Sequence, residues 1–152
     1  MRDRAELQRL YEPLVVDHGN RPRHFGRLER HTHHAEGYNP LCGDRFTVYV
    51  QVEDGVIRDV SFEGSGCTIS KASASLMTTA VVGKSVTEAE RLFHDFHEMV
   101  VRPALPADAA HRGKLVAFMG VRDNALRAKC ATLPWHTLHS ALAGEGEPDS
   151  GA

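Results

Sequence analysis

The feature that most constrains this chain is a set of four side chains spread along its length. Cys42 and Asp44 sit in Asn39-Pro40-Leu41-Cys42-Gly43-Asp44, Cys67 in Gly64-Ser65-Gly66-Cys67-Thr68, and Cys130 in Lys129-Cys130-Ala131-Thr132-Leu133-Pro134-Trp135. There is no other cysteine, and each of the three falls at a predicted break between secondary elements. Three thiolates and one carboxylate form a four-ligand set that suits zinc, and equally sulfur chemistry or an iron–sulfur cluster. Any of these uses obliges the fold to carry residue 130 back to residues 42–67.

Three cysteines cannot form a complete disulfide framework within one chain, and so sparse a set in a reducing compartment points to metal binding or catalysis. Three unrelated buried cysteines are the plain alternative. The charged start Met1-Arg2-Asp3-Arg4-Ala5-Glu6 lacks the apolar stretch of a secretory signal, so a cytoplasmic location is expected. With 18 basic and 20 acidic residues the net charge is −2, which gives no electrostatic reason to expect nucleic acid. No apolar run approaches the ~18–20 residues needed to cross a bilayer. A length of 152 residues, 41% of them hydrophobic, fits one domain with a packed core. That domain is expected over 1–143, with a disordered tail over the glycine-rich, acidic 144–152.

Leu7, Leu10, Tyr11, Leu14 and Val15 predict an amphipathic helix from Glu6 to Asp17, kinked or restarted at Pro13. Asn20-Arg21-Pro22-Arg23 reads as a loop, and Arg30 to Gly37 as a weak edge strand. The alternating Arg45 to Val52 predicts a strand, Asp54-Gly55 a hairpin turn, and Val56 to Phe62 the returning strand. Gly64-Ser65-Gly66 ends it. A helix from Thr68 to Val82 would bury Ile69, Ala72, Leu76 and Ala80 and stop at Gly83. Ser85-Val86-Thr87-Glu88 is a capping box opening a helix with apolar positions Ala89, Leu92, Phe93, Phe96, Met99 and Val100, bounded by Pro103 and Pro106. Asp108 to Val121 reads as a helix with the stripe Leu115, Phe118 and Met119. A last helix is expected after Cys130, with Pro134 at an early position and Trp135, Leu138, Ala141 and Leu142 following. The expected fold is α+β: a small antiparallel sheet of about three strands with helices packed mainly on one face.

In an extended segment Cys42 and Asp44 point to the same side, with Gly43 letting the backbone turn closely around an ion. Cys67 and Cys130 each precede a predicted helix, whose positive amino end favours the thiolate. Four anionic ligands around zinc leave a site charge near −2, which calls for cations nearby; Arg127 and Lys129 flank Cys130.

Together these motifs resemble the SufU branch of the IscU-like (NifU amino-terminal) family. The resemblance runs from about Leu10 to Leu142 and includes Asp17-His18-x-Asn20-x-Pro22-Arg23 and Lys71-Ala72-Ser73-Ala74-Ser75. IscU-type scaffolds carry histidine immediately before the third cysteine, where this chain has Lys129. SufU-like proteins carry an insertion between the second and third cysteines, and Glu98 to Asn124 is its expected place here. The resemblance implies zinc held by Cys42, Asp44, Cys67 and Cys130, and a SufS-type pyridoxal-phosphate cysteine desulfurase as partner. It implies a zinc-dependent sulfur acceptor, with Cys42 released by ligand exchange to take persulfide sulfur and pass it to downstream iron–sulfur assembly proteins. The alternatives are a scaffold that binds a transient [2Fe–2S] cluster or iron through the same ligands, and a structural zinc domain for protein interaction. A monomer or weak homodimer is expected.

Other groups carry weaker signals. In a strand, His31 and His33 share a face and could bind metal, but His31, His33 and His34 read first as a polar edge. Glu90, His94 and His97 align on one helical face, although Phe93 and Phe96 mark that helix as core-packing. Trp135 reads as core, with desulfurase contact as the alternative. Arg21-Pro22-Arg23-His24 reads as a solvated basic loop that could instead meet an acidic partner.

Overall fold

The computed structural model of the chain describes residues 13–40, 43–101 and 125–144. Helix α1 runs through 13–20. Strands β1 (His33–Asn39), β2 (Asp44–Glu53) and β3 (Val56–Ser65) follow, then helices α2 (Thr68–Val81), α3 (Val86–Val101) and α4 (Ala125–Ala143). The earlier part of the predicted first helix, the predicted helix over 108–121, Pro103, Pro106 and the tail from 145 lie outside the described residues.

The strands form one antiparallel sheet in the order β1-β2-β3. Asp54 and Gly55 both adopt positive φ, 54° and 75°, the conformation that matches a two-residue turn to the twist of a hairpin. Strand alternation then sorts the side chains. Ala35 and Gly37 of β1, Phe46, Val48 and Val50 of β2, and Val60 and Phe62 of β3 are buried. The helices cover that side: α4 packs on β1 and β2, α2 on β3 and α4, and α3 on α4. Gly37 allows the closest approach, since a Cβ there would stand 2.0 Å from Thr137 Oγ1 on α4. The weak edge strand is real but begins three residues later than expected and ends at Asn39.

The predicted capping box is formed: the Ser85 N–H donates to Glu88 Oε1 at 3.0 Å and the Glu88 N–H to Ser85 Oγ at 3.1 Å. On α3, Ala89, Phe96 and Val100 are buried. Helix α2 buries Ala72 and Leu76 as expected, but also Ser70, Ser73, Ser75 and Thr78, because small side chains let it lie against α4. Ser73 Oγ donates across that contact to the Ala131 carbonyl at 2.5 Å.

Helix α4 corrects one expectation. It does not begin after Cys130: it is already helical from Ala125, so Cys130 stands in its second turn and Pro134 is interior. Pro134 has no N–H to give the Cys130 carbonyl and costs the helix roughly 3 kcal/mol. Burial outweighs that cost. Leu133, Trp135 and Leu138 are each at most 1% exposed, and each contributes about 1.5–3 kcal/mol. Residues 130–135 are all buried, so the helix has no single apolar stripe, which is why its true start was not legible. Trp135 stacks on Phe96 with ring centroids 4.9 Å apart and is fully buried, which removes it as a contact for a partner.

Candidate metal centre

Three elements deliver the side chains. Asp44 opens β2 and pairs with Asn39 across the hairpin from β1. Leu41 and Cys42 lie outside the described residues; on either side of them, the Gly43 N–H donates to the Asn39 carbonyl at 2.8 Å, and Gly43 has φ +74°. Cys67 is the N-cap of α2, and its thiol makes no capping bond to the helix. Cys130 comes from α4. One oxygen of Asp44 and the sulfurs of Cys67 and Cys130 all lie within 4.8 Å of one another. Thus the fold joins residues separated by 86 positions of sequence (130 − 44).

Asp44 is 1% exposed and is held by the backbone that follows β3. Its Oδ1 accepts the Cys67 N–H at 3.0 Å, and its Oδ2 lies 3.8 Å from Cys67 Sγ. Two glycines make this geometry possible. Gly64 has φ +134° and pairs with Phe46; a Cβ on it would stand 2.1 Å from the Arg45 carbonyl oxygen. A Cβ on Gly66 would fill the cradle itself, 2.6 Å from Ser70 Oγ and 2.8 Å from Asp44 Oδ1. The glycine-rich segment that the sequence presents as a strand terminator therefore shapes the site.

The Cys67 thiol is pulled down to about 5, first by its hydrogen bond with Cys130, against the opposing effect of burial. The Ser70 hydroxyl and backbone add to the lowering, while the Asp44 charge works against it. Ser70 Oγ stands 3.5 Å from Cys67 Sγ and donates to the Cys67 carbonyl at 3.0 Å. Ser70 was not singled out in the sequence; its place three residues past a helix-capping cysteine was the available signal. Cys67 reaches solvent, whereas Cys130 is buried. Two thiols and a buried carboxylate converging in a cradle too tight for a Cβ fit a borderline ion such as zinc.

Of the flanking cations, Lys129 is exposed on α4 beside Cys130, and the Arg127 side chain lies outside the described part. Arg21 and Arg23 both pair with Asp17, at 3.0 and 2.6 Å. Those contacts, the Arg23 hydrogen bond first, hold the Asp17 carboxyl below its ordinary range. The Glu90, His94 and His97 stripe is not brought together. Glu90 instead bonds His139 Nδ1 at 2.5 Å, and His97 packs against His136, because α4 supplies nearer partners than the next turn of α3. The pairing of His31 with His33 is also corrected: β1 starts only at His33, and the ring that approaches His31 is that of His34, 5.3 Å away.

A family model of the NifU-like N terminal domain matches residues 10–131. The chain belongs to this family. It is 41% identical over 138 residues to the "Iron-sulfur cluster assembly scaffold protein IscU" of Streptococcus pyogenes serotype M1, covering 91% of this chain and 86% of that one. It is 36% identical over 141 residues to the "Zinc-dependent sulfurtransferase SufU" of Bacillus subtilis strain 168, covering 93% and 95%. A solved structure from Fervidobacterium islandicum AW-1, described as a putative iron-sulfur cluster assembly scaffold protein for the SUF system, superposes with a TM-score of 0.81 at 32% identity. It covers 89% of this chain and 98% of that one. These relatives are named for iron–sulfur cluster assembly or zinc-dependent sulfur transfer, and the α+β fold of this chain is the fold of the superposed relative.

Proposed function

We propose that this protein is a zinc-dependent sulfur acceptor that takes persulfide sulfur from a SufS-type pyridoxal-phosphate cysteine desulfurase. The observation that carries the reading is the convergence of Asp44, Cys67 and Cys130 within 4.8 Å. The Lys129 that stands before Cys130 supports it further, because protonated lysine cannot ligate a cluster. Cys42 completes the ligand set from the loop framed by Asn39 and Gly43. Zinc, when bound, would hold the thiols deprotonated near neutral pH.

The transfer itself is a thiol–persulfide exchange. The Cys42 thiolate attacks the terminal sulfur of the donor persulfide; a new S–S bond forms at Cys42 as the donor's S–S bond breaks, and the donor cysteine leaves as thiolate. No outside oxidant or reductant is required. Asp44 and the α2 amino end keep Cys67 in place while Cys42 reacts, and a reducing compartment, the cytoplasm, keeps the thiols free of disulfides before the transfer. The chain acts as one domain over 1–143.

The test is mass spectrometry after incubation with such a desulfurase and cysteine. A gain of about 32 Da, one sulfur, on the Cys42 peptide is expected. No gain on any cysteine overturns the reading. The name of the Streptococcus pyogenes relative favours a second reading, a scaffold for a nascent [2Fe–2S] cluster. Anaerobic reconstitution separates the two: a sulfur-to-iron charge-transfer band supports the scaffold, and a colourless zinc protein the acceptor.

A further inference from the structure

The sheet face turned away from the helices carries a cavity of about 400 Å³ that the cysteine corner does not use. Its chemistry comes from Arg27 and His31 before β1, Glu36 on β1, Thr47 and Tyr49 on β2, and Glu63 on β3. Strand pairing sets Glu36, Thr47 and Glu63 side by side in one row across the sheet. Neighbouring strands lie about 4.8 Å apart, so the two carboxylates rise from backbones roughly 10 Å apart with Thr47 between them. The Tyr49 ring stands beside this row, its centroid 5.0 Å from that of His31 and 6.3 Å from that of His34.

The protons of this lining are already committed. Tyr49 Oη donates to Glu63. Burial first, and then that carboxylate, raises the Tyr49 hydroxyl to about 12, so it keeps its proton. The Thr47 hydroxyl donates to Glu36 Oε1 at 3.4 Å. His31 Nδ1 lies 2.6 Å from the Leu28 carbonyl. A carbonyl only accepts, so the neutral ring has its proton on Nδ1 and a bare lone pair on Nε2. What Glu36, Thr47, Tyr49, Glu63 and His31 still offer is therefore acceptors. Arg27 supplies the single fixed positive charge of the lining, and it is exposed. With neutral imidazoles the lining carries −1, from Glu36 and Glu63 against Arg27.

An anionic, acceptor-rich lining with aromatic rings beside it selects a cation. Its acceptors stand along a row and do not gather at a point as the atoms of Asp44, Cys67 and Cys130 do, so a single-atom cation does not suit them. A flat cation with several donors in one plane can span such a row and stack on a ring, and those are the properties of a guanidinium.

We propose that this cavity binds a guanidinium group, which donates to Glu36 and Glu63 and lies against Tyr49. Its single positive charge brings the lining to neutrality. The chemistry is common to a small guanidinium compound and to an arginine side chain presented by a partner protein. The site does not depend on how the cysteines are used.

The test is an NMR titration of the full zinc-loaded chain that follows the His31, His34 and Tyr49 ring signals. The probes are methylguanidinium, a capped Ala-Arg-Ala peptide, and the same peptide with neutral citrulline in place of arginine. Saturable shifts with both guanidinium probes, and none with the citrulline peptide, are expected. Binding should weaken at least about tenfold in the Glu36→Gln/Glu63→Gln double variant, which removes both charged acceptors. It should tighten in Arg27→Ala, which removes the competing cation. The shifts are read in the unaltered protein, so a variant that folds poorly does not decide the matter. Peptide binding no tighter than that of methylguanidinium assigns the site to small compounds, and tighter peptide binding assigns it to a partner's arginine; either result bears the proposal out. It is overturned if neither guanidinium probe shifts those rings, if the citrulline peptide binds as well as the arginine peptide, if the double variant binds undiminished, or if Arg27→Ala weakens binding.

Discussion

The cysteine corner and the histidine face are two groups of side chains built in opposite ways. The corner gathers Asp44, Cys67 and Cys130 from three elements distant in sequence, and backbone constraints at Gly64 and Gly66 permit it. The histidine face is local: most of its groups come from β1 and the turn before it, and side chains rather than backbone close it. A site built by long-range packing should be brittle and preorganised, whereas a face made of outward-pointing strand side chains should tolerate substitution without loss of the fold.

The sharpest way to break this contrast is Gly64→Ala. The Cβ meets backbone at 2.1 Å with φ at +134°, so neither neighbour nor conformation can yield cheaply. A loss of about 3 kcal/mol or more is expected in urea unfolding. If Gly64→Ala is as stable as the parent, the corner is not held by backbone constraint. Gly66→Ala should cost the fold less but the metal more. Its clashes fall on Ser70 Oγ, Asp44 Oδ1 and the Phe46 ring edge, and zinc affinity measured by chelator competition should drop at least about tenfold.

On the capping side, Ser85→Ala removes a donor–acceptor pair far from both sites and should cost about 1 kcal/mol without altering zinc binding. The smallest effect is a pH dependence from the α3–α4 contact. His136 is held down to about 4, by burial first and then by the charges of His97 and His139. Its folded value lies below the unfolded one, so its contribution is complete above about 6.5 and is lost as pH falls from there toward about 4. The loss should be on the order of 1 kcal/mol after allowing for partial solvent screening. His136→Gln should flatten that part of the stability profile; an unchanged slope would show that another group titrates there.

Much of the fold was legible because its signals are local. The Asp54-Gly55 turn, the alternation of β2, and the Ser85–Glu88 box each specify their element within a few residues. Helix α4 was legible only in part. Buried nearly all round, it offers no periodic stripe, and Pro134 imitates a helix start. The histidines misled for a related reason: strand periodicity pairs His31 with His33, but residue 31 precedes the strand, so the period does not apply to it.

By itself the sequence determined the ligand inventory, the hairpin, the family resemblance, and the lysine before the last cysteine, all of which are carried by residue type and short spacing. Only the tertiary structure decided that Asp44 is buried and bonded to the Cys67 backbone, that Ser70 stands beside the Cys67 sulfur, and that Cys130 arrives from within a helix. It also decided which histidines meet on the opposite face of the sheet. For the corner the physical reason is convergence across long sequence separations, set by packing of α4 against the sheet and α2, and no local pattern encodes which atoms that packing brings within bonding distance.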